Sequence, residues 1–182
     1  MTLNSVSELD IRMFFDYIKT IRYGYQDKNG NLHFANEPDF YAFEYAFSSP
    51  EEVVNNNCGW CWDVANLIGM YCEKNSLEFK TYFLEYRSDS FHQTHTQVLI
   101  RYNGEWYAAP DNSSSESFGK QSFTSAWACI CDFKNQFEEY LRHVLKNAFD
   151  PSLFLVKEFN CKIPPGISDE EYMNLVRGYY EN

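Results

Sequence analysis

No run of apolar residues in this 182-residue chain approaches the ~18 to 20 that span a bilayer, so no membrane partner is expected. Basic residues are scarce. Fifteen Lys and Arg stand against 26 Asp and Glu, a formal charge of −11, and nowhere do they cluster. Such a surface repels a phosphate backbone, which argues against nucleic acid as a partner. The opening stretch "MTLNSVSELDIRMFFDYIKTIRYGY" has no basic leader region or unbroken apolar segment, since Glu8, Asp10 and Asp16 interrupt it; the expectation is a soluble, cytoplasmic protein. Neither G-x-G-x-x-G nor G-x-x-x-x-G-K occurs, so no organic cofactor is expected. The acidic residues are scattered rather than gathered in a calcium loop. Cysteines 58, 61, 72, 129, 131 and 161 lack the dense spacing of a small secreted disulfide scaffold. Repeats, low-complexity tracts and linkers are also missing.

What the chain does have is apolar and aromatic mass: 45% hydrophobic residues, with 16 Phe and 14 Tyr, enough for one domain with a full core. Leu9, Met13, Phe14, Tyr17, Ile18 and Ile21 recur at helical intervals and predict a helix over 7–22, capped by Ser7. Asn29-Gly30 predicts a hairpin turn, whereas 38–47 is too short and too aromatic to assign. Ser48-Ser49-Pro50-Glu51-Glu52 reads as a helix start, with a hydroxyl cap, proline in the first turn and acids over the positive end of the dipole. A second helix starts at "CWDVANLIGMYC", where Val64, Leu67, Ile68 and Tyr71 share a face. Strands are expected over 77–86 and 95–102, the latter continuing through Asn103-Gly104 into a hairpin ending near 109. After a polar loop over 111–119 come a helix over 133–147, a strand over 152–159 and a helix over 169–178, opened by a Ser168/Glu171 capping box. The class is α+β, helices around a meandering antiparallel sheet.

The chemistry concentrates in "NNNCGWCWD". Cys58 and Cys61 admit three readings. A redox pair needs a thiol at a helix N-terminus and a second one turn away, but in such folds a strand leads into the motif, and "SSPEEVVNNN" does not read as one. A zinc site would join Cys58 and Cys61 to His92 and His95, across a gap longer than that of a compact finger. A nucleophile needs a thiolate, a base within about 3 Å and an acceptor that orients the base. Cys61 at a helix N-terminus, where the dipole favours the thiolate, supplies the first. His95 at the head of a strand supplies the second. Asp111, just past the partner strand, lies at the same sheet edge and supplies the third. Cys72, Cys129, Cys131 and Cys161 read as packing thiols.

"GWCWDVANLIGMYCEKNSLEFKTYFLEY" followed by "HTQVLIRYNGEWYAAPD" resembles the core of the transglutaminase-like superfamily of papain-like thiol enzymes, over about residues 48–115. The resemblance implies a papain-like core with Cys61 as nucleophile, His95 as base and Asp111 as orienting acid, and with Gly59, Trp60 and Asp63 shaping the turn. It implies acyl transfer from the amide of a protein or peptide substrate through a thioester, to water in a peptidase, amidase or glutamine deamidase, or to an amine in a cross-linking enzyme. Water is the favoured acceptor. A non-catalytic binding module on the same fold is the competing class. An oxyanion hole would use the Cys61 N–H with a second donor, for which Asn55 is favoured over Asn56 and Asn57 because its spacing from Cys61 is similar to papain's. Trp62, Trp106 and Tyr107 are candidates for the cleft wall. No metal is expected.

Overall fold

The computed structural model describes residues 1–112 and 121–178. The chain opens not on one helix but on two, α1 (Leu3–Ser7) and α2 (Ile11–Ile18). Asp10 causes the break: its carboxylate accepts the N–H groups of Arg12 and Met13, both at 3.0 Å, and so starts α2 as an N-cap. The helix expected over 7–22 is corrected accordingly, although its apolar face is retained, with Ile11, Phe14, Phe15 and Ile18 buried.

Next comes a small sheet of β1 (Arg22–Asp27), β2 (Leu32–Phe34) and β3 (Tyr45–Ala46). β1 and β2 are antiparallel about the expected Asn29-Gly30 turn, and Asp27 ties that turn by accepting from the Asn29 and Asn31 amides and from His33. Helix α3 (Pro50–Asn56) starts on the anticipated signal: Ser49 and Glu52 form a reciprocal capping box around Pro50. Asn57 then adopts φ 47° and ψ 44°, a left-handed C-cap that turns the chain back. Two residues, β4 (Cys58–Gly59), now pair in parallel with Arg22 and Tyr23 of β1. The stretch before the two-cysteine motif is thus a helix and not a strand, as expected, and the short strand β4 lies within the motif itself. That strand was invisible because two residues carry no periodicity.

Helix α4 (Cys61–Lys74) follows, then β5 (Phe79–Arg87), β6 (His92–Tyr102) and β7 (Glu105–Ala108). Helix α5 (Ala126–Leu145) begins seven residues before the expected start, because Ser125 accepts the Ala128 N–H and caps it there. β8 (Phe154–Phe159) and α6 (Asp169–Gly178) follow, the latter starting on the expected Ser168/Glu171 pair.

The main sheet has the order β7-β6-β5-β8 and is antiparallel throughout, so the molecule is α+β. Strand alternation sorts its side chains. Val98 and Ile100 join Val64, Leu67, Ile68 and the buried face of α2 on one side. Tyr82, Leu84, Leu99 and Trp106 meet Ala126, Cys129 and Ile130 of α5 on the other. Each such fully buried aliphatic stabilises the fold by roughly 1.5–3 kcal/mol, and together they clamp α4 rigidly against β6. Among the described residues no helix is long and apolar enough to cross a membrane.

Candidate active site

The start of α4 is held by one buried carboxylate. Asp63 is 0% exposed; one of its oxygens accepts from the Trp60 N–H at 2.8 Å, and the other from the Ser48 N–H at 2.8 Å and from the Tyr45 hydroxyl. Burial pushes its carboxyl pKa up to about 7 against the pull of those three donors. Gly59, one turn earlier, has no room for a side chain: a Cβ there would meet Val64 at 3.2 Å and Asp63 at 3.3 Å. Trp60 is the N-cap and Cys61 the first helical residue, so Cys61 occupies the expected helix start.

Across from it, Ala109 donates to the carbonyl of Val98 at 2.9 Å. Residues two apart on a strand aim their backbone groups at the same edge, so the Thr96 N–H points past the end of β7, into the space that holds the sulfur of Cys61. A thiolate there accepts from the amides of Thr96 and Trp62. The expectation that the helix end would lower this thiol's pKa is nonetheless corrected. Cys61 is 3% exposed, burial is the largest influence on it, and the nearby Asp111 and Asp63 charges add to the rise. The cysteines are all free thiols, with Cys58 also buried and its pKa pushed up to about 12.

His95 precedes Thr96 on β6 and points to the α5 side, where its ring stacks on Phe133 with centroids 5.4 Å apart. Its Nε2 lies 3.3 Å from an Asp111 carboxylate oxygen, a close contact that falls short of hydrogen-bond geometry. Burial lowers the pKa of His95, while the Asp111 charge and the Gln97 side chain pull it upward. Gln97 itself donates to the carbonyls of Val98 and Ala109 at 2.8 and 2.9 Å, pinning the segment that leads to Asp111. Asn112 reaches further, donating to the Gly59 carbonyl at 2.8 Å and to that of Arg22 at 3.3 Å. The residue after Asp111 is thus tied to the residues before Cys61. The rest of the expected polar loop, 113–119, lies outside the described residues.

The structure therefore brings His95 to Asp111 and seats the Cys61 sulfur one residue along the same strand. Other sequence candidates are placed elsewhere. Asn55 lies exposed on α3, while Asn56 bonds Gln26 and Asn57 reaches the Thr20 carbonyl. Trp106 is buried against α5 and pairs with Phe123, so it is a core residue and not a cleft wall. His92 bonds Glu85 at 2.8 Å, and among the described residues no group of three or more His, Cys, Asp or Glu is placed to hold a metal ion.

Aromatic rings surround the thiol. Trp62 stacks on Tyr172 of α6 at 4.1 Å and 10°, and on Trp60 at 5.8 Å and 11°. Trp60 is half-buried and meets Tyr23, Tyr25 and the exposed Tyr41. Thr96 hydrogen-bonds Tyr172 through their hydroxyls at 2.9 Å. Sequence reasoning missed Tyr172, Gln97 and Asn112. For Asn112 a signal was present, since it adjoins the candidate acid. For Tyr172 nothing local hinted at contact with a residue so distant in sequence.

Comparison with protein-family models and with curated proteins finds no match for this chain.

Proposed function

We propose that the chain is a thiol-dependent acyl-transfer enzyme with a papain-like, transglutaminase-like core, acting on the amide of a protein or peptide. The observation that carries this reading is the 3.3 Å approach of His95 to Asp111 on the strand whose next amide faces the Cys61 sulfur. With its pKa lowered by burial, His95 is a neutral imidazole at neutral pH and is able to accept a proton. Cys61, with its pKa raised, keeps its proton until substrate arrives, so general-base activation is favoured over a standing ion pair.

In the first step His95 takes the thiol proton as sulfur bonds the carbonyl carbon. The C–N bond then breaks, His95 gives the proton to the departing amine, and a thioester remains. In the second, water attacks the thioester, His95 takes its proton, the C–S bond breaks, and the proton returns to sulfur as the acid leaves. An amine in place of water gives a new amide and hence a cross-link. The Thr96 and Trp62 amides favour the negative charge as it develops on sulfur. Free thiols suit a reducing compartment such as the cytoplasm.

The burial of Cys61 favours one other reading, a non-catalytic binding module on the same core. Acylation by p-nitrophenyl acetate followed by mass spectrometry separates the two. The enzyme reading expects one acetyl group on Cys61, lost in Cys61→Ala and formed about 10²–10⁴-fold more slowly in His95→Ala. Slow labelling spread over the thiols and indifferent to His95 would support the binding module. Release of acetate, or transfer to added hydroxylamine, then identifies the acceptor.

A further inference from the structure

A cavity of about 610 Å³ opens on the α4 side of the main sheet, between α4, the start of β5 and the segment after β8. This is within the range of small-molecule pockets. Its floor is apolar, formed by Trp62, Ala65, Gly69, Phe79, Phe159 and Tyr172. Neither Cys61, His95 nor Asp111 lines it. Two observations say what it would hold. Trp62 is 4% exposed, and its indole N–H has no acceptor among the described residues; a buried orphan donor costs roughly 1–3 kcal/mol, which a bound acceptor would recover. The rim carries Lys80 and Lys162 against Glu73 and Glu158, with Lys80 and Glu158 already paired at 2.8 Å. Its charges cancel and select against an ion.

We propose that this cavity is a binding site for an uncharged, largely apolar small molecule bearing one carbonyl-type acceptor, which takes up the Trp62 indole N–H. The site does not depend on thiol chemistry. Its back wall is shared with the thiol's surroundings, because Thr96 lines the cavity with its side chain while its amide meets the sulfur.

The test uses three probes of similar shape: 4-phenyl-2-butanone, butylbenzene, which has no acceptor, and 4-phenylbutyrate, which is charged. Titrations are followed by ¹H–¹⁵N NMR of the indole N–H groups of the four tryptophans, with Trp62 assigned from Trp62→Phe. The ketone is expected to bind saturably and to move the Trp62 indole signal downfield. Butylbenzene should bind without that shift, and the acid should bind at least about tenfold more weakly than the ketone. Ala65→Leu, which fills the floor, should weaken ketone binding about tenfold or more. Asn66→Phe, at a half-buried position on the lining, is a second filling variant should Ala65→Leu fail to fold. Cys61→Ala should leave ketone affinity within about twofold. No saturable ketone binding, an unmoved Trp62 signal, indifference to both filling variants, or loss of binding in Cys61→Ala would each overturn the proposal. The last would relocate the ligand to the thiol, whereas the acylation experiment can fail while every result expected here still holds.

Discussion

Replacing Asp63 by Ala strands three buried donors at once, the amides of Ser48 and Trp60 and the hydroxyl of Tyr45. Each unsatisfied buried donor costs roughly 1–3 kcal/mol, but some regain water or relax, so the expected loss is about 3–5 kcal/mol, a large fraction of a typical folding free energy. Asp63→Asn keeps the shape and one acceptor while turning an NH2 toward a donor, and should lose less, about 2–3 kcal/mol. Urea unfolding monitored by tryptophan fluorescence measures both. The pH dependence has a definite sign. The folded pKa of about 7 lies above the ordinary carboxylate value of 3.8, so between the two the folded protein binds the extra proton. The wild-type advantage over Asp63→Asn is therefore fullest below about pH 4 and declines as pH rises toward 7. A loss under about 1 kcal/mol in Asp63→Ala, or an advantage that grows over that range, would refute the view that this carboxylate organises the turn before Cys61.

Two further perturbations follow from the packing. At Gly24 an added Cβ would fall 2.3 Å from the backbone oxygen of His33, so Gly24→Ala must push β2 off β1; a loss of about 2–4 kcal/mol is expected from thermal unfolding, together with hydrogen exchange at Tyr25 and His33 that is much faster than in wild type. Glu85, buried on β5, receives Arg177 of α6 and His92. Burial raises its pKa, but those two partners outweigh it and hold it below the usual range, so its stabilisation is present above the ordinary carboxylate pKa and fades as pH falls through the folded one. Glu85→Gln should cost about 1–2 kcal/mol at pH 7, discounted for the part-exposed partners, and should loosen α6 first; exchange rates at Tyr172 and Val176 unchanged from wild type would contradict that docking role.

How far the chain could be read in advance depends on the range of the interactions. Ser49 with Glu52, Ser168 with Glu171, and the Asn29-Gly30 and Asn103-Gly104 turns all act within four residues, and each marks an observed boundary. Asp10 and Ser125 are equally local caps, yet an apolar stripe running past the first and two cysteines following the second concealed them. His95 and Asp111 were legible because hairpin register carries one residue to the other across a single turn. Asn55 was placed by analogy of spacing and lies on the exposed side of a helix that the left-handed Asn57 turns away. The parallel contact of β4 with β1, the Asn112 staple and the closure by Tyr172 join segments remote in sequence. No pattern along the chain encodes them.

Because the ring of Tyr172 stands behind Trp62 and its hydroxyl holds Thr96, the surroundings of Cys61 are completed by the last described helix. During synthesis, α4 and β6 leave the ribosome long before α6 exists, so the site spends that interval without the Tyr172 part of its aromatic cover. Maturation of the site is thus tied to synthesis of α6, and a ribosome-stalled chain ending before α6 would leave Trp62 and Thr96 without the ring and hydroxyl of Tyr172.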